Sequence, residues 1–436
     1  MEIISNPAVL SIILLCFLCL KKVNVLLSII IATICAGILS RLNIKDVMDT
    51  FIAGMGGNSE TALSYILLGT FAATMAHSGF SAKLSEFISK FIAGKKYLLI
   101  LILTLIAMAS QNIIPIHIAF IPIIIPPLIG TMNSLRIDRR AVASALTFGL
   151  KMPYITIPIG FGLIFQNLIA DNMVQNGAFV LREDVWKSTL ILGLGMIFAL
   201  FISVFVTYRK PRIYEQKPLN CLVDTDKIEC SQRTIIVVIF AAILTFIVQL
   251  TTHSLPLGAL VGLGVIFSLK VIPKNKMDSM MNEGIYLMGY VAFVMLVAAG
   301  FAAVLKETGA IETLVNSVIP FLPHNVMIVS FIILLIGLFV TIGIGTSFGT
   351  IPILAVLFIP ICLKLGFNTQ QMVVLLAASA ALGDAGSPAS DTTLGPTSGL
   401  NTDGQHNHIY DTCIPTFLHY NTALILFALL GIYLFN

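Results

Sequence analysis

Between Ala377 and Asn421 the chain reads AASAALGDAGSPASDTTLGPTSGLNTDGQHNHIYDTCIPTFLHYN, which sets two carboxylates, Asp384 and Asp391, among glycine, alanine, proline and small hydroxyl residues. The lead-in from Gln371 to Leu382, QMVVLLAASAAL, is apolar enough to lie in lipid or in the core of a membrane protein. An acidic side chain at that depth is expensive and by default marks an ion or substrate pathway. Gly383, Gly386 and Pro388 interrupt a regular helix, so the backbone is expected to open beside Asp384 and free carbonyls and hydroxyls there. A carboxylate partly withdrawn from water exchanges a proton for a cation near neutral pH, and that competition couples the two ions. Asp391, Ser387, Ser390, Thr392 and Thr393 supply oxygens for a Na+ shell around Asp384. Asp391 also reads as a helix N-cap before Thr392.

Other polar residues at membrane depth fall opposite this cluster. Lys151, in LTFGLKMP, either pairs with Asp384 in the empty carrier or snorkels to an interface. Gln111 and Asn112 either bond substrate or cap a broken helix, with Thr346, Ser347 and Thr350 as their expected partners. His117, between Pro115 and Pro122, relays protons or bonds a carbonyl in the core. Asp403, His406, His408 and Asp411 have the residue types of a metal site, but QHNHIYD reads better as a solvated loop. Glu60 and Glu307 stand at segment ends and read as interfacial.

These residues need a scaffold of membrane helices. Hydrophobic residues make up 57% of the chain and charged residues 11%, against roughly a quarter charged in soluble domains, and the mean hydropathy is +0.98. The composition therefore predicts an all-α polytopic membrane protein with about ten to thirteen transmembrane segments, each needing roughly 20 apolar residues. The net charge of +4 gives no sign of nucleic-acid binding. The seven cysteines show no zinc or haem spacing and read as reduced thiols. No cofactor is expected beyond the coupling ion. The expected partners are a small ion or organic solute and the bilayer, with a homodimer left open, and the expected location is the cell (inner) membrane.

The polar stretch YRKPRIYEQKPLNCLVDTDKIECSQR divides the chain into a repeat over residues 1–207, a cytoplasmic linker over 208–233 and a second repeat over 234–436. Arg209, Lys210, Arg212 and Lys217 place that linker in the cytoplasm by the positive-inside rule, and Arg136, Arg139 and Arg140 do the same for their loop. Both loops are explained by topology alone. TFAATMAHSG from Thr70 matches GFAAVLKETG from Gly300, AFIP from Ala119 matches LFIP from Leu357, and SALTFG from Ser144 matches AALGDA from Ala380. The separation grows from 230 to 238 and settles at 236. Two inverted repeats follow, with broken or re-entrant helices at Ser110–Pro122 and Thr346–Pro360 and a site at the repeat interface.

The stretch GDAGSPASDTT resembles the signature of the NhaC-type Na+/H+ antiporter family, in which Gly-Asp is followed by Ser-Pro and then Ser-Asp-Thr-Thr. The chain is similar to a Na+/H+ antiporter subgroup of the ion transporter superfamily over nearly its whole length. QN-x-x-P-x-H-I-A-F-I-P, R-I-D-R-R and T-L-G-P-T-S-G-L-N of that subgroup match Gln111–Pro122, Arg136–Arg140 and Thr393–Asn401. The resemblance implies alternating access and a midplane cation site, hence a secondary active transporter and not an enzyme. Ala385 and Gly386 stand where the NhaC-type signature carries a bulkier polar pair, which leaves more room beside Asp384. Na+- or H+-coupled transport of a small organic solute such as an amino acid therefore stays open beside Na+/H+ exchange. An intramembrane aspartyl protease is excluded because Ala381 stands where Gly-x-Gly-Asp needs its first glycine, and Tyr410-Asp411 lies in a polar stretch.

Overall fold

Apolar runs broken by Asn, Asp, Ser and Gly give a chain of helices whose starts are set by side-chain caps. The computed structural model describes residues 6–21, 23–80, 83, 95–112, 121, 125–215, 217, 231–252, 254–310, 313, 316–317, 325–344, 346–388 and 390–436. His117, Pro115 and Pro122, for which the sequence suggests a proton relay and a broken helix, and most of the 208–233 linker lie outside these residues. The first half holds α1 (Pro7–Leu20), α2 (Val25–Leu39), α3 (Ile44–Met55), α4 (Ser59–His77), α5 (Lys96–Asn112), α6 (Ile129–Ser134), α7 (Arg139–Thr156), α8 (Phe161–Gln175) and α9 (Val185–Phe201). The second holds α10 (Gln232–Thr252), α11 (Leu255–Ser268), α12 (Met277–Glu307), α13 (Val326–Ile344), α14 (Ser347–Lys364), α15 (Thr369–Ala381), α16 (Asp391–Leu400) and α17 (His408–Leu434). No strand occurs among the described residues.

Among the described residues, five helical stretches are long and apolar enough to cross a membrane: Arg182–Thr207, Gln232–Gln249, Met288–Glu307, Ser347–Lys364 and His408–Leu434. The pair α7 and α8, bent by 47° at its break, makes a sixth. Shorter apolar helices accompany them, among them Lys96–Asn112 and Val326–Ile342. Exposed Leu, Ile and Phe side chains such as Leu101, Ile236, Phe240 and Leu426 face outward, as lipid requires and water does not.

The two halves repeat in register, with α3 and α4 of the first half matched by the single helix α12 of the second. Helices begin at Val25 and Leu255, at Lys96 and Val326, at Arg139 and Thr369, and at Phe161 and Asp391, each pair 230 residues apart. Asp138 caps α7 and Asn368 caps α15. Two residues before each cap the backbone turns left-handed, at Arg136 (φ 50°) and Gly366 (φ 77°). The register thus stays at 230, and the drift to 236 read from short apolar matches is corrected: helix starts are fixed by caps, whereas apolar tetrapeptides align by chance.

The packing gives the orientation of the repeats. Gly54 packs on Gly300, and Gly284, 230 residues after Gly54, packs on Thr70, 230 residues before Gly300. A Cβ on Gly284 would lie 2.4 Å from the Thr70 nitrogen, so the crossing needs glycine. The contacts run in opposite chain directions and exchange equivalent residues, which is an isologous two-fold contact between antiparallel helices. Since Met288–Glu307 is one of the membrane-crossing stretches, that axis lies in the membrane plane and the repeats are inverted.

One expectation about the breaks changes. α14 runs unbroken from Ser347 to Lys364 with Pro352 and Pro360 inside it. The preceding helix ends at Ile344, and Thr346, just before Ser347, is not helical. Prolines inside a membrane helix are tolerated because neighbouring groups satisfy the freed carbonyls.

Candidate cation and substrate site

Each half carries one helix break beside the site. α15 ends at Ala381, the chain turns through Gly383 (φ 78°) and Gly386 (φ 148°), and α16 starts at Asp391. Asn421, within the π-helical turn Phe417–Asn421, accepts the Gly383 N–H at 3.0 Å and pins this turn from α17. In the first half α7 ends at Thr156 and α8 begins at Phe161 after Gly160 (φ 58°). Gly160 lies so close to the backbone of Asn112 that an added Cβ would sit 1.8 Å from its carbonyl oxygen. The end of α5 therefore wedges into one break, as Ile342 near the end of α13 does at Gly383.

Asp384 lies in the turn, 3% exposed, and its carboxylate is fully engaged. Oδ2 accepts from Lys151 Nζ at 2.7 Å, Ser347 Oγ at 2.5 Å and Tyr154 OH at 3.1 Å, while Oδ1 accepts from Ser390 Oγ at 2.5 Å. Lys151 is fully buried on α7, and its ammonium also donates to Tyr154 OH at 3.0 Å. Tyr154 and Ser347 hydroxyls lie 2.9 Å apart. The pair thus joins a lysine of the first repeat to an aspartate of the second. Ser347 is the first residue of α14 and Ser390 is the N-cap of α16, so the carboxylate also faces the positive ends of two helices.

The remaining sequence-derived residues divide. Thr392 Oγ1 donates to the Asp384 carbonyl at 3.3 Å and lies 2.8 Å from Ser390 Oγ. Thr393 Oγ1 donates to the carbonyls of Ser387 and Ser390, and Ser387 Oγ to that of Ile342. These hydroxyls hold the turn in shape. Asp391 is half-buried in the first turn of α16, and the N-cap is Ser390, whose side chain accepts from Thr392 N–H. The cap reading is therefore one residue off. Thr346 precedes α14 and its carbonyl accepts from Thr350. Gln111 and Asn112 are buried, with Gln111 Oε1 and both Asn112 amide atoms unpartnered among the described residues. They make no hydrogen bond with Thr346, Ser347 or Thr350, so the expected pairing across the axis is corrected: the ends of α5 and α14 meet different breaks.

Sequence reasoning missed Tyr154, although it stands one turn after Lys151 on the same face of α7. It also missed the ring cluster beside the pair. Phe348 lies 5.3 Å from Tyr154, 5.6 Å from Tyr65, 5.7 Å from Phe165 and 6.1 Å from Phe161 between ring centroids. These rings keep water from the ion pair, which strengthens it.

A second missed feature corrects the solvated-loop and topology readings. Asp403, His406 and Asp411 are 6%, 1% and 8% exposed. Arg139 is fully buried and binds Asp403 through two parallel bonds of 2.7 and 2.5 Å, so it does more than mark topology. Arg212 donates to Asp411 at 2.8 Å. No group of three or more His, Cys, Asp or Glu residues with metal-ligand geometry occurs among the described residues. Burial pushes the His406 imidazole down to about 4, so it is neutral at pH 7 and held by Thr412 Oγ1 at 2.7 Å. The unfolded chain takes up this proton below about pH 6.5 while the folded chain does not. The stability tied to His406 is thus intact above pH 6.5 and is lost as pH falls toward 4. Thermal unfolding in detergent at pH 7.5 and 4.5 should show a larger drop for wild type than for His406→Gln; equal drops would refute the assignment.

Duplicated, inverted membrane helices with a buried ion pair that joins α7 of one repeat to the break after α15 of the other define a membrane transport protein. Comparison with known sequences places it more closely. The profile of the Na+/H+ antiporter family matches residues 145–432, and a second Na+-H+ antiporter family profile matches residues 6–92. The chain belongs to the Na+/H+ antiporter family. It is 43% identical to an uncharacterized membrane protein of Vibrio parahaemolyticus, covering 97% of this chain and 98% of that one. It is 41% identical to the Bacillus subtilis "putative amino acid transporter YuiF", with coverage of 97% and 98%. Two solved structures share the fold: the Alcanivorax borkumensis YdaH transporter, with TM-score 0.61 at 11% identity over 90% of this chain and 88% of that one, and Neisseria gonorrhoeae MtrF, with TM-score 0.59 at 14% identity over 90% and 85%.

Proposed function

We propose that this protein is a Na+/H+ exchanger of the cell (inner) membrane in which Asp384 carries the coupling ion and Lys151 is a tethered cation that occupies the same carboxylate. The observation that supports this reading is the buried 2.7 Å contact between them across the repeat interface. When Na+ or a proton reaches Asp384, the ammonium is released, and the hydroxyls of Ser347, Tyr154 and Ser390 remain as oxygen ligands of the kind a hard cation takes. Asp391, Thr392 and Thr393 act one step away, by field and by shaping the turn. No cofactor takes part. The linker over 208–233 faces the cytoplasm in this reading, and no residue has an enzymatic role.

The name of the Bacillus relative supports a second reading, cation-coupled transport of an amino acid, in which the substrate ammonium displaces Lys151 from Asp384. Purified protein in vesicles with a pH-sensitive dye inside separates the two: an imposed Na+ gradient should move protons without added amino acid if the first reading holds. Lys151→Met then tests the tethered cation. Only a proton or Na+ neutralises the carboxylate in that variant, so the exchange profile should move at least one pH unit toward the alkaline side. An unchanged profile in a monodisperse Lys151→Met sample would remove Lys151 from the mechanism.

A further inference from the structure

Away from the ion pair, a cleft of about 280 Å³ opens between α3, α8, α12 and α14, lined by Asn58, Asn172, Gln175, Asn176, Lys306 and Pro352 with small residues between them. That volume is at or just below the small end of ligand pockets, roughly 300–1,000 Å³, so it suits a small solute. Its walls are chemically polarised. At the exposed mouth Lys306 Nζ donates to the Gln175 carbonyl at 2.8 Å and pairs with no carboxylate among the described residues. On the buried floor Asn58 Nδ2 donates to the Met295 carbonyl at 3.1 Å and Asn172 Nδ2 to the Leu168 carbonyl at 2.8 Å. Those bonds fix both amides with their Oδ1 atoms as acceptors, and neither oxygen accepts a hydrogen bond among the described residues. A cationic donor at one end and two amide acceptors at the other are complementary to a carboxylate and an ammonium on one small molecule.

We propose that this cleft binds a small zwitterionic α-amino acid, with its carboxylate on Lys306 and its ammonium on the Oδ1 atoms of Asn58 and Asn172. Gly54, Gly57, Ala302 and Ala303 leave space for a short side chain. A simple anion would leave the two amide oxygens unused, and a simple amine would meet the ammonium of Lys306. The cleft also leads inward. Asn58 stands seven residues before Tyr65, Asn172 seven after Phe165 and Pro352 four after Phe348, which along a helix is about 10, 10 and 6 Å. Its floor therefore rests on the elements whose rings cover Lys151 and Asp384. In the amino-acid reading of the transport function, an amino acid held there is a cargo waiting outside the ring cluster. The inference rests on the transport reading for its direction of use, and binding is measured apart from it.

The test is calorimetric titration of full-length protein in lipid nanodiscs with glycine and L-alanine, and with acetate and methylammonium as half-ligands. Wild type should bind L-alanine saturably and each half-ligand at least tenfold more weakly. Lys306→Met removes the carboxylate partner, and Gly57→Leu fills the cleft from a position where a Cβ meets nothing within 4 Å. Each should weaken L-alanine binding at least tenfold. Gly130→Leu, equally unobstructed but outside the cleft, should bind as wild type does. No L-alanine binding by wild type would overturn the proposal, as would wild-type affinity in both cleft variants. Binding kept in the cleft variants but lost in an Asp384→Asn/Lys151→Met double variant would place the amino acid at the ion pair and also overturn it. Either failure leaves Na+-driven proton movement as a separate result.

Discussion

Asp384→Asn should abolish Na+-driven proton movement in vesicles. The amide keeps the size of the carboxylate and still accepts a hydrogen bond from Lys151 or Ser390, but it has neither the charge that holds a cation nor the proton it must exchange. Removing the charge has a second effect that composition alone does not reveal. Lys151 is fully buried, so the single variant strands an ammonium at membrane depth, at a cost of roughly 2.5–3.5 kcal/mol on insertion scales. The Asp384→Asn/Lys151→Met double variant removes both charges and should recover much of that stability while remaining inactive. Thermal unfolding separates the two effects, and vesicle assays under imposed Na+ and pH gradients read the function. Wild-type coupling in either variant would refute the assignment, because no neutral amide exchanges a proton for a cation.

Much of this site was legible because the membrane makes some residues conspicuous. An aspartate inside AASAALGDAGSP and a lysine inside LTFGLKMP have few bland explanations in apolar surroundings, and the glycines beside Asp384 announce the turn. Ser347 and Ser390 were legible as oxygens of the right type near breaks. Tyr154 was not, because a tyrosine in an apolar helix is ordinary and only the i, i+3 relation to Lys151 singles it out. Phe348 and its ring neighbours come from four separate helices, so no spacing betrays them. Pro352 and Pro360 misled in the opposite sense, since a strong breaker in water lies inside a continuous helix here. The duplication was legible in outline, but its register came from the caps at Asp138 and Asn368.

Arg139 and Asp403 were the hardest to read, because arginines at a helix end are fully explained by topology, and their removal should have the largest effect on stability. The guanidinium has no exposure and the Asp403 side chain 1%. Besides its two bonds to Asp403, Arg139 donates to the Leu400 carbonyl at 3.0 Å and to Asn133 Oδ1 at 2.9 Å, and it lies 4.1 Å from the centre of the Tyr214 ring. It thereby ties the last residue of α16 to the start of α7, the two helices that also carry Ser390's capped turn and Lys151. Asp403→Ala leaves this arginine buried without a counter-charge, and breaking a buried pair from one side costs about 3–5 kcal/mol. Asp403→Asn retains one acceptor and should lose less. Replacing both residues, as in Arg139→Met/Asp403→Leu, removes the stranded charge, so the double variant should be markedly more stable than the sum of the single changes implies. Unfolding of the purified wild type, these three variants and the single changes Arg139→Met and Asp403→Leu in detergent measures each term. If Asp403→Ala unfolds within about 1 kcal/mol of wild type, the figure expected for an exposed ion pair, the contact does not hold α16 against α7.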